Sequence, residues 1–270
     1  MQEINEAILE RLESAVCAAG SNMLRAHVEK ENVAKKEGRS NFVTSYDTQN
    51  QHDLMCAFAE ILPEAVFMGE EEDQFREELP EGYAFIVDPI DGTTNFLFDL
   101  HLSCVSAGLL KDGVPEAGFV YNPYTDEMYK AWRGHGAYHN GVRLAPENLP
   151  LEDGLAFYGC VAYNNAHIDT LFHLVRSLFD TSLGIRTLGS GAWALCEVAG
   201  GCGVTYVEYQ LKPWDYAAAI VILQEAGCVV TQFDGTPLSL TRPSDVAAGT
   251  ARAHAQVLEL MEKAREACER

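Results

Sequence analysis

Acidic residues in the first half of the chain are spaced in a way that suits metal chemistry. Asp88 follows the apolar run 84–87, and Asp91 lies three residues further along, beyond Pro89. The spacing predicts a strand that stops at Asp88 and a tight turn that brings both carboxylates together, where the carbonyl of Ile90 can join them. Hard cations such as Mg²⁺ prefer oxygen ligands of this kind. A capping turn that holds no metal is the alternative interpretation.

A candidate anion site follows directly. Gly92, Thr93 and Thr94 come next, at the predicted start of a helix. Backbone N–H groups at a helix start attract anions, and glycine lets a ligand approach closely. Carboxylates that hold cations beside such a site would form a centre for phosphoryl chemistry. We therefore expect residues 88–94 to act on a phosphate group.

Two further acids lie at the ends of predicted elements. Glu70 opens an acidic cluster, residues 70–73, directly after the apolar run 66–68. Acidic surface loops are usually solvated, so a plain surface charge is the alternative interpretation even of Glu70. Its place at a strand end makes it the acid of the cluster that is favoured as a ligand, and the other three are interpreted as loop charges. Asp215 begins a helix after Pro213. The helix dipole favours an acid there for structural reasons as well, so both interpretations of Asp215 stay open.

The composition excludes two classes of main partner. The chain has 270 residues, with 19 Lys and Arg against 40 Asp and Glu, and its net charge is −21. Nucleic acids and anionic membranes are bound by clustered cations, so neither is expected as the main partner. An anionic substrate would have to be attracted by something other than bulk charge. Bound metal cations are the candidate.

The sequence favours a cytoplasmic protein. The N-terminal segment is acidic and amphipathic and lacks the basic start and apolar core of a signal peptide. No run approaches 18 apolar residues, so no membrane span is predicted. The eight cysteines form no CxxC pair and show no zinc-ligand spacing. Four disulfides are the alternative, but reduced thiols are expected where no secretion signal is found.

The elements that position these acids alternate in an order typical of layered sheets. Amphipathic helices are expected over 3–30 and 48–62, followed by antiparallel hairpins over 103–141 with turns at Asp112-Gly113 and Asn140-Gly141. The second half alternates strands (155–159, 185–189, 203–209, 228–235 and 245–250) with helices (167–179, 190–201, 214–227 and 251–267). We predict an α/β fold with one sheet per half, 1–148 and 149–270, packed as a single compact unit.

Several of these segments resemble the inositol monophosphatase family of magnesium-dependent phosphatases. The resemblance rests on GEE (69–71), DPIDGTTNF (88–96) and WDYAAA (214–219), in this order and at these separations. FVTSYD (42–47) is similar to the family's (L/I)VTxxD pattern, and the similarity continues through TLGSGAWALCEVAGG (187–201). It covers essentially the whole chain. The fold it implies is a five-layer αβαβα sandwich of the inositol monophosphatase and fructose-1,6-bisphosphatase type.

The resemblance also implies a role for each site residue. The implied ligands of two or three Mg²⁺ ions are Glu70, Asp88, the carbonyl of Ile90, Asp91 and Asp215. The implied catalytic residues, which orient the attacking water, are Glu70, Thr93 and the nearby Asp47. The implied substrate contacts are Asp91, Gly92, Thr93, Gly191, Glu208 and Asp215. Without the resemblance, Glu208 would be interpreted as a surface charge on an edge strand.

The implied activity is the hydrolysis of inositol monophosphate to inositol and phosphate, by in-line attack of a metal-activated water. His101 and Gly191 depart from the family pattern near the expected substrate rim, so the identity of the ester stays open. Another sugar or polyol phosphate, such as fructose 1,6-bisphosphate, is the alternative substrate. A regulatory or binding protein that keeps the fold is a second alternative. Lithium sensitivity and a homodimer are also implied.

Overall fold

The structure, a computed structural model, describes residues 3–26, 33–35, 42–71, 78–160 and 167–268. The helices within these ranges are α1 (Glu6–Leu24), α2 (Ser45–Ile61), α3 (Thr93–Leu97), α4 (Ile168–Thr181), α5 (Gly191–Ala199), α6 (Pro213–Glu225) and α7 (Ala251–Cys268). The strands are β1 (Val33–Lys35), β2 (Phe42–Thr44), β3 (Val66–Gly69), β4 (Tyr83–Asp91), β5 (Cys104–Lys111), β6 (Val114–Asn122), β7 (Glu127–Trp132), β8 (Gly136–His139), β9 (Val142–Arg143), β10 (Leu155–Tyr158), β11 (Gly184–Arg186), β12 (Thr205–Leu211), β13 (Val229–Thr231) and β14 (Ser244–Gly249).

These elements stack in five layers. Helices α1 and α2 cover one face of a seven-stranded sheet, and α5 and α6 lie between that sheet and a five-stranded sheet. Helices α4 and α7 cover the outer face of the five-stranded sheet. Apolar cores fill the spaces between neighbouring layers. The predicted five-layer αβαβα sandwich is therefore confirmed.

The seven-stranded sheet has the order β3-β4-β5-β6-β7-β8-β9. Strands β3 and β4 pair in parallel, and the other neighbours pair antiparallel. Asp112 and Asn140 have φ angles of 50° and 46°, and Gly113 and Gly141, which follow them, have φ angles of 77° and 79°. A type I′ turn needs positive φ at both central residues. The two hairpins predicted at the Asp-Gly and Asn-Gly pairs are thus confirmed.

The five-stranded sheet has the order β11-β10-β12-β14-β13. Strand β10 pairs in parallel with β11 and β12, whereas β14 pairs antiparallel with β12 and β13. Parallel strands need a crossover connection. Helix α4 connects β10 to β11, and α5 connects β11 to β12. This is the alternation of strands and helices that the second half of the sequence predicts.

Helix α6 is buried along nearly its whole length because it lies between the two sheets. Two glycines of the first sheet let it approach closely. A Cβ atom would lie 2.9 Å from the Ala217 backbone carbon if it were built on Gly108, and 2.3 Å from the Ala218 carbonyl oxygen if built on Gly118. In the described part of the chain no helix, α6 included, is long and apolar enough to cross a membrane.

Some boundaries differ from the sequence expectations. Helix α1 ends at Leu24, and residues 27–32 lie outside the described part of the chain. The acids at 72 and 73, interpreted as loop charges, also lie outside it. The strand expected over 228–235 is confined to β13. The first sheet uses residues 66–143 and the second uses 155–249, but α5 and α6 contact both, so the division at residue 148 stays a prediction.

Candidate active site

A bulge at the end of β4 brings Asp88 and Asp91 to the same place. The expectation that the strand stops at Asp88 is wrong, because β4 continues to Asp91. Asp88 is opposite Ser106 on β5 and Asp91 is opposite Cys104, so three steps along β4 match two along β5. In a regular strand, side chains three residues apart point to opposite faces. The additional residue in β4 removes this alternation, and both carboxylates enter one cluster.

The cluster joins acids that are far apart in the sequence. Carboxylate oxygens of Asp88, Asp91 and Asp215 all lie within 4.8 Å of one another. Asp88 and Asp91 are buried, and Asp215 is half-buried. The side chain of Glu70 is hydrogen-bonded to that of Asp88. The structure thus brings together the four acids that the sequence singled out as metal ligands.

Asp215 is positioned by the start of α6. Pro213 is the first residue of the helix, and the Asp215 Oδ2 accepts a 2.8 Å hydrogen bond from the backbone N–H of Lys212. This bond satisfies a backbone donor at the helix start. The Ser106 hydroxyl donates to the Trp214 carbonyl at 3.1 Å. Because Ser106 is paired with Asp88 across the sheet, this bond holds the start of α6 beside the bulge.

Asp91 is held by residues from the second half of the chain. Its Oδ2 accepts hydrogen bonds from the Ser190 hydroxyl and, at 2.8 Å, from the backbone N–H of Ala192. Cys104 contributes a longer thiol contact of 3.8 Å. Ser190 is also the N-cap of α5. The sequence signals this capping role, but it gives no sign of the contact with Asp91, which lies 99 residues away.

Crowding of the acids changes their protonation. Burial, followed by the charges of Glu70, Asp91 and Asp215, raises the pKa of Asp88 well above its usual range. Desolvation, followed by the charges of Asp91 and Glu70, raises the pKa of Asp215 in the same way. Burial also raises the pKa of Asp91, while hydrogen bonds to its carboxylate oppose the shift. Bound cations would reverse these shifts because they stabilise the ionised carboxylates.

The donor set fits a hard divalent cation. The clustered ligand atoms of Asp88, Asp91 and Asp215 are carboxylate oxygens. Oxygen ligands suit Mg²⁺, whereas softer metals favour thiolate and imidazole. The carbonyl of Ile90 lies in the bulge between two of these acids and accepts a 3.1 Å hydrogen bond from the Thr93 hydroxyl. A carbonyl oxygen has a second lone pair that remains available to a ligand.

Thr93 and Asp47 form a pair beside the cluster. The Thr93 hydroxyl is 3.3 Å from Asp47 Oδ1. Asp47 Oδ2 is committed elsewhere, because it accepts hydrogen bonds from the backbone N–H and the hydroxyl of Thr44, at 2.8 Å and 2.5 Å. This capping box at the start of α2 fixes the Asp47 carboxylate. The role that the resemblance implies for this pair, to orient the attacking water, stays a prediction.

The two predicted glycine contacts start neighbouring helices. Gly92 precedes α3 with a φ angle of 82°, a conformation that L residues rarely adopt. A Cβ atom built on Gly92 would lie 3.1 Å from the Ser190 Cβ and 3.2 Å from the Gly189 carbonyl oxygen. Gly191 is the first residue of α5, and a Cβ built on it would lie 3.6 Å from the Asp215 Cβ. Both glycines therefore adjoin the acidic cluster.

Glu208 lies outside the three-acid cluster. It is buried, so the surface position that the residue alone suggests is wrong. Its Oε2 accepts a hydrogen bond from the Tyr206 hydroxyl, and its side chain lines a small cavity with Gly159 and Cys160. Burial raises the pKa of Glu208 to about 7, and the charge of Asp91 adds to the shift. Its role as a substrate contact stays a prediction.

Comparisons with known proteins agree with this geometry. A profile described as the Inositol monophosphatase family matches residues 5–266. An inositol-1-monophosphatase of Bacillus subtilis is 32% identical over 243 residues, covering 89% of this chain and 91% of that protein. A fructose-1,6-bisphosphatase/inositol-1-monophosphatase of Aquifex aeolicus is 33% identical over 264 residues, covering 96% of this chain and 97% of that protein.

A solved structure has the same fold. The extragenic suppressor protein SuhB from Bartonella henselae superposes with a TM-score of 0.86 at 29% identity, covering 96% of this chain and 99% of that one. The family profile spans all the acids of the cluster as well as Asp47 and Thr93. Fold, site and comparisons therefore lead to one conclusion: this chain belongs to the inositol monophosphatase family, a family of metal-dependent phosphatases.

Proposed function

We propose that this protein is a Mg²⁺-dependent phosphomonoesterase that hydrolyses inositol monophosphate to inositol and phosphate. The observation that carries the proposal is the convergence of Asp88, Asp91 and Asp215 within 4.8 Å, with Glu70 hydrogen-bonded to Asp88. A metal site of this kind beside the Thr93–Asp47 pair supplies what phosphate hydrolysis needs. The B. subtilis relative, which is named for this activity, supports the same substrate.

In this proposal the four acids and the carbonyl of Ile90 hold two or three Mg²⁺ ions. Four carboxylates carry up to four negative charges, which two divalent cations would balance in the absence of a phosphate dianion. When bound, the cations neutralise the phosphate and make a nearby water more acidic. The acids contribute by keeping their oxygens in place, so little reorganisation is needed when the substrate binds.

Thr93 and Asp47 act on the attacking water. The Thr93 hydroxyl has one hydrogen, which it donates either to Asp47 Oδ1 or to the Ile90 carbonyl, at 3.3 Å and 3.1 Å. When it donates to Asp47, its lone pairs accept a hydrogen bond from the water, and the Ile90 carbonyl is released for a cation. Glu70, which is next to Asp88, is the other group that we propose orients the water. The water oxygen then bonds to phosphorus as the ester bond opposite it breaks, and the proton that the water loses is balanced by the proton that the leaving polyol oxygen takes up.

The remaining predicted contacts hold the substrate. We propose that backbone N–H groups of Gly92 and Thr93 bind the phosphate. Asp91, Asp215 and Glu208, with the backbone at Gly191, accept hydrogen bonds from the hydroxyl groups of the polyol. Glu208 is suited to this task because it is buried and held by Tyr206, so a hydroxyl group that satisfies it is strongly favoured over an apolar group.

A broader sugar-phosphate phosphatase is the second candidate. It is favoured by the A. aeolicus relative, whose name combines fructose-1,6-bisphosphatase with inositol-1-monophosphatase. Both candidates use the same cluster and differ only in the polyol that Glu208 and Gly191 contact. A regulatory protein that keeps the fold without turnover is the third candidate.

A panel of phosphate esters distinguishes these candidates. Purified protein is assayed with Mg²⁺ on inositol 1-phosphate, glycerol 2-phosphate and fructose 1,6-bisphosphate, and kcat/KM is compared. The Asp91→Asn variant, prepared identically, controls for contaminating phosphatases. The highest kcat/KM on inositol 1-phosphate supports the proposal, and the highest value on fructose 1,6-bisphosphate supports the second candidate. No phosphate release from any ester would favour the regulatory protein.

Lithium inhibition and a homodimer stay predictions, which inhibition assays and analytical ultracentrifugation test.

A further inference from the structure

Gln51 on α2 makes an unusual two-point contact with a backbone peptide. Its side-chain Nε2 donates to the Glu71 carbonyl, and its Oε1 accepts from the Glu71 N–H, both at 2.8 Å. The side chain is buried, with 5% of its surface exposed. A neighbouring strand would normally bond the backbone N–H and carbonyl of such a residue. Here the side-chain amide of Gln51 bonds both groups of Glu71 instead. Gln51 therefore fixes the chain where β3 ends.

This contact matters because Glu71 directly follows Glu70. The Glu70 N–H donates to the Val87 carbonyl at 3.1 Å, which ties the residue to β4 on its N-terminal side. Gln51 ties the next residue to α2. Gly69 leaves the space that the glutamine fills, since a Cβ atom at Gly69 would lie 2.1 Å from the Gln51 Oε1. The backbone on both sides of Glu70 is thus held by different layers of the fold.

The same face of α2 serves two parts of the site. Asp47 and Gln51 are four residues apart, so they lie one above the other on the helix. Asp47 reaches the Thr93 hydroxyl, and Gln51 reaches the peptide after Glu70. One helical turn therefore aligns both groups that the proposed mechanism places around the attacking water.

We propose that Gln51 is a positioning residue that holds the Glu70 carboxylate beside Asp88 and thereby sets the metal affinity of the site. This inference rests on the proposed role of Glu70 as a metal ligand. The side chain must be an amide of this length. A glutamate could accept from the Glu71 N–H but could not donate to its carbonyl, and an asparagine is one methylene shorter.

A double-mutant cycle read by metal binding tests the inference. Mn²⁺ binding, with Mn²⁺ as a probe of the Mg²⁺ site, is measured by calorimetry for the wild type, Gln51→Met, Glu70→Gln and the double variant. Gln49→Met is the matched control, because Gln49 is an exposed glutamine on the same helix whose amide bonds Asp53 at 2.8 Å. Loss of a residue that orients a ligand weakens metal affinity by about 10- to 100-fold.

We expect Gln51→Met to weaken Mn²⁺ binding by about tenfold. The metal concentration needed for half-maximal activity should rise by a larger factor than kcat at saturating metal falls. Gln49→Met should match the wild type. In the Glu70→Gln background, Gln51→Met should have no further effect, because the two residues act as one unit. If Gln51→Met does not fold, Gln51→Asn keeps the amide, cannot reach Glu71, and should show the same weakening.

Three results would overturn the inference. Wild-type Mn²⁺ affinity in a folded Gln51→Met or Gln51→Asn variant would show that the contact does not affect the metal. If Gln51→Met weakens Mn²⁺ binding as much in the Glu70→Gln background as in the wild type, Gln51 does not act through Glu70. If Glu70→Gln itself leaves the affinity unchanged, the ligand assignment in the proposed function fails, and this inference fails with it. Only the last result affects the proposed function.

Discussion

Asp91 divides its two carboxylate oxygens between two tasks. Oδ2 accepts hydrogen bonds from the Ser190 hydroxyl and the Ala192 N–H, so Oδ1 is the oxygen left for a cation. The bonds come from the start of α5, so the proposed metal site depends on the packing of α5 against the end of β4. An amide at this position could still accept hydrogen bonds through one oxygen, but it would lack the negative charge.

Asp91→Asn should therefore lower turnover by about a thousandfold, which corresponds to about 4 kcal/mol of activation free energy. The melting temperature without metal should stay within a few degrees of wild type, because the amide oxygen can still accept from Ala192. Steady-state kinetics with Mg²⁺ and thermal unfolding in EDTA measure the two effects. Asp169→Asn, an exposed acid on α4, is the control. A variant that retains a tenth of wild-type turnover would contradict the assignment.

Glu208 should make the folded protein less stable as the pH rises, which is opposite to the usual effect of a carboxylate in a folded protein. Burial raises its pKa from 4.5 to about 7, so the folded state binds this proton more tightly than the unfolded state does. Ionising Glu208 therefore destabilises the folded protein. The cost is absent below pH 4.5, grows as the pH rises from 4.5 to 7, and is complete above pH 7.

Glu208→Gln removes that cost. Relative to wild type, its free energy of unfolding should increase by about 3 kcal/mol between pH 4.5 and pH 8. Urea denaturation in EDTA at the two pH values measures the difference, and exposed Glu259→Gln on α7 is the control for replacing a glutamate. A difference between variant and wild type that does not change with pH would show that Glu208 is not held in this way.

At the scale of elements, the close contact between α6 and the first sheet determines where Asp215 lies. Gly118 on β6 faces the middle of the helix, and a Cβ atom there would lie 2.3 Å from the Ala218 carbonyl oxygen. Backbone atoms cannot move aside as a flexible side chain can. Any side chain at Gly118 would therefore push α6 away from the sheet and shift Asp215 from the other acids.

Gly118→Ala should lower the free energy of unfolding by about 1–3 kcal/mol, the range typical of an overpacked core. It should also raise the Mg²⁺ concentration needed for half-maximal activity. Urea denaturation and Mg²⁺ titrations of activity measure these effects, with Val114→Ala at the exposed start of the same strand as the control. Unchanged stability would mean that α6 does not pack against β6 as closely as described.

The sequence marks Asp88 and Glu70 as candidates because they follow apolar runs, and Asp215 because it stands at a helix start, and the family resemblance joins them with Asp91 in one ligand set. The path of the chain between Asp88 and Asp91 could not be predicted from the sequence. Proline is read as a strand stop because it lacks an N–H group for the ladder. Here Pro89 lies between the paired positions Asp88 and Asp91, within the bulge, so the strand continues.

The residues that hold the acids were also missed. Gln51 lies 20 residues from Glu71, and Ser190 lies 99 residues from Asp91. Periodicity and capping patterns describe contacts within one element, so a single sequence gives no sign of side chains that meet across layers. Gly118 was missed for the same reason, because its role depends on a helix that comes about a hundred residues later in the chain.

At the scale of the whole molecule, the net charge of −21 opposes the binding of any phosphate ester. The acidic cluster adds to this repulsion at the place where the phosphate must bind. In the proposed function, bound metal ions would reverse the local charge before a substrate enters. The chain and its cations form one electrostatic unit in this account.

Inorganic phosphate should bind in Mg²⁺ and should not bind measurably in EDTA at the same ionic strength. Calorimetric titration of the protein with phosphate under the two conditions gives the comparison. Matched ionic strength matters because salt alone screens the charge of the protein. Phosphate binding that is undiminished in EDTA would mean that the chain attracts anions without metal.

The central claim is that Glu70, Asp88, Asp91 and Asp215 hold divalent cations together. Crystals soaked in Mn²⁺, with diffraction recorded at the manganese absorption edge, test it most directly. We predict anomalous density at about 2.0–2.3 Å from carboxylate oxygens of these acids, the range for hard-cation ligands. Density that is absent from the cluster in manganese-saturated crystals, with the four side chains turned apart, would contradict the account.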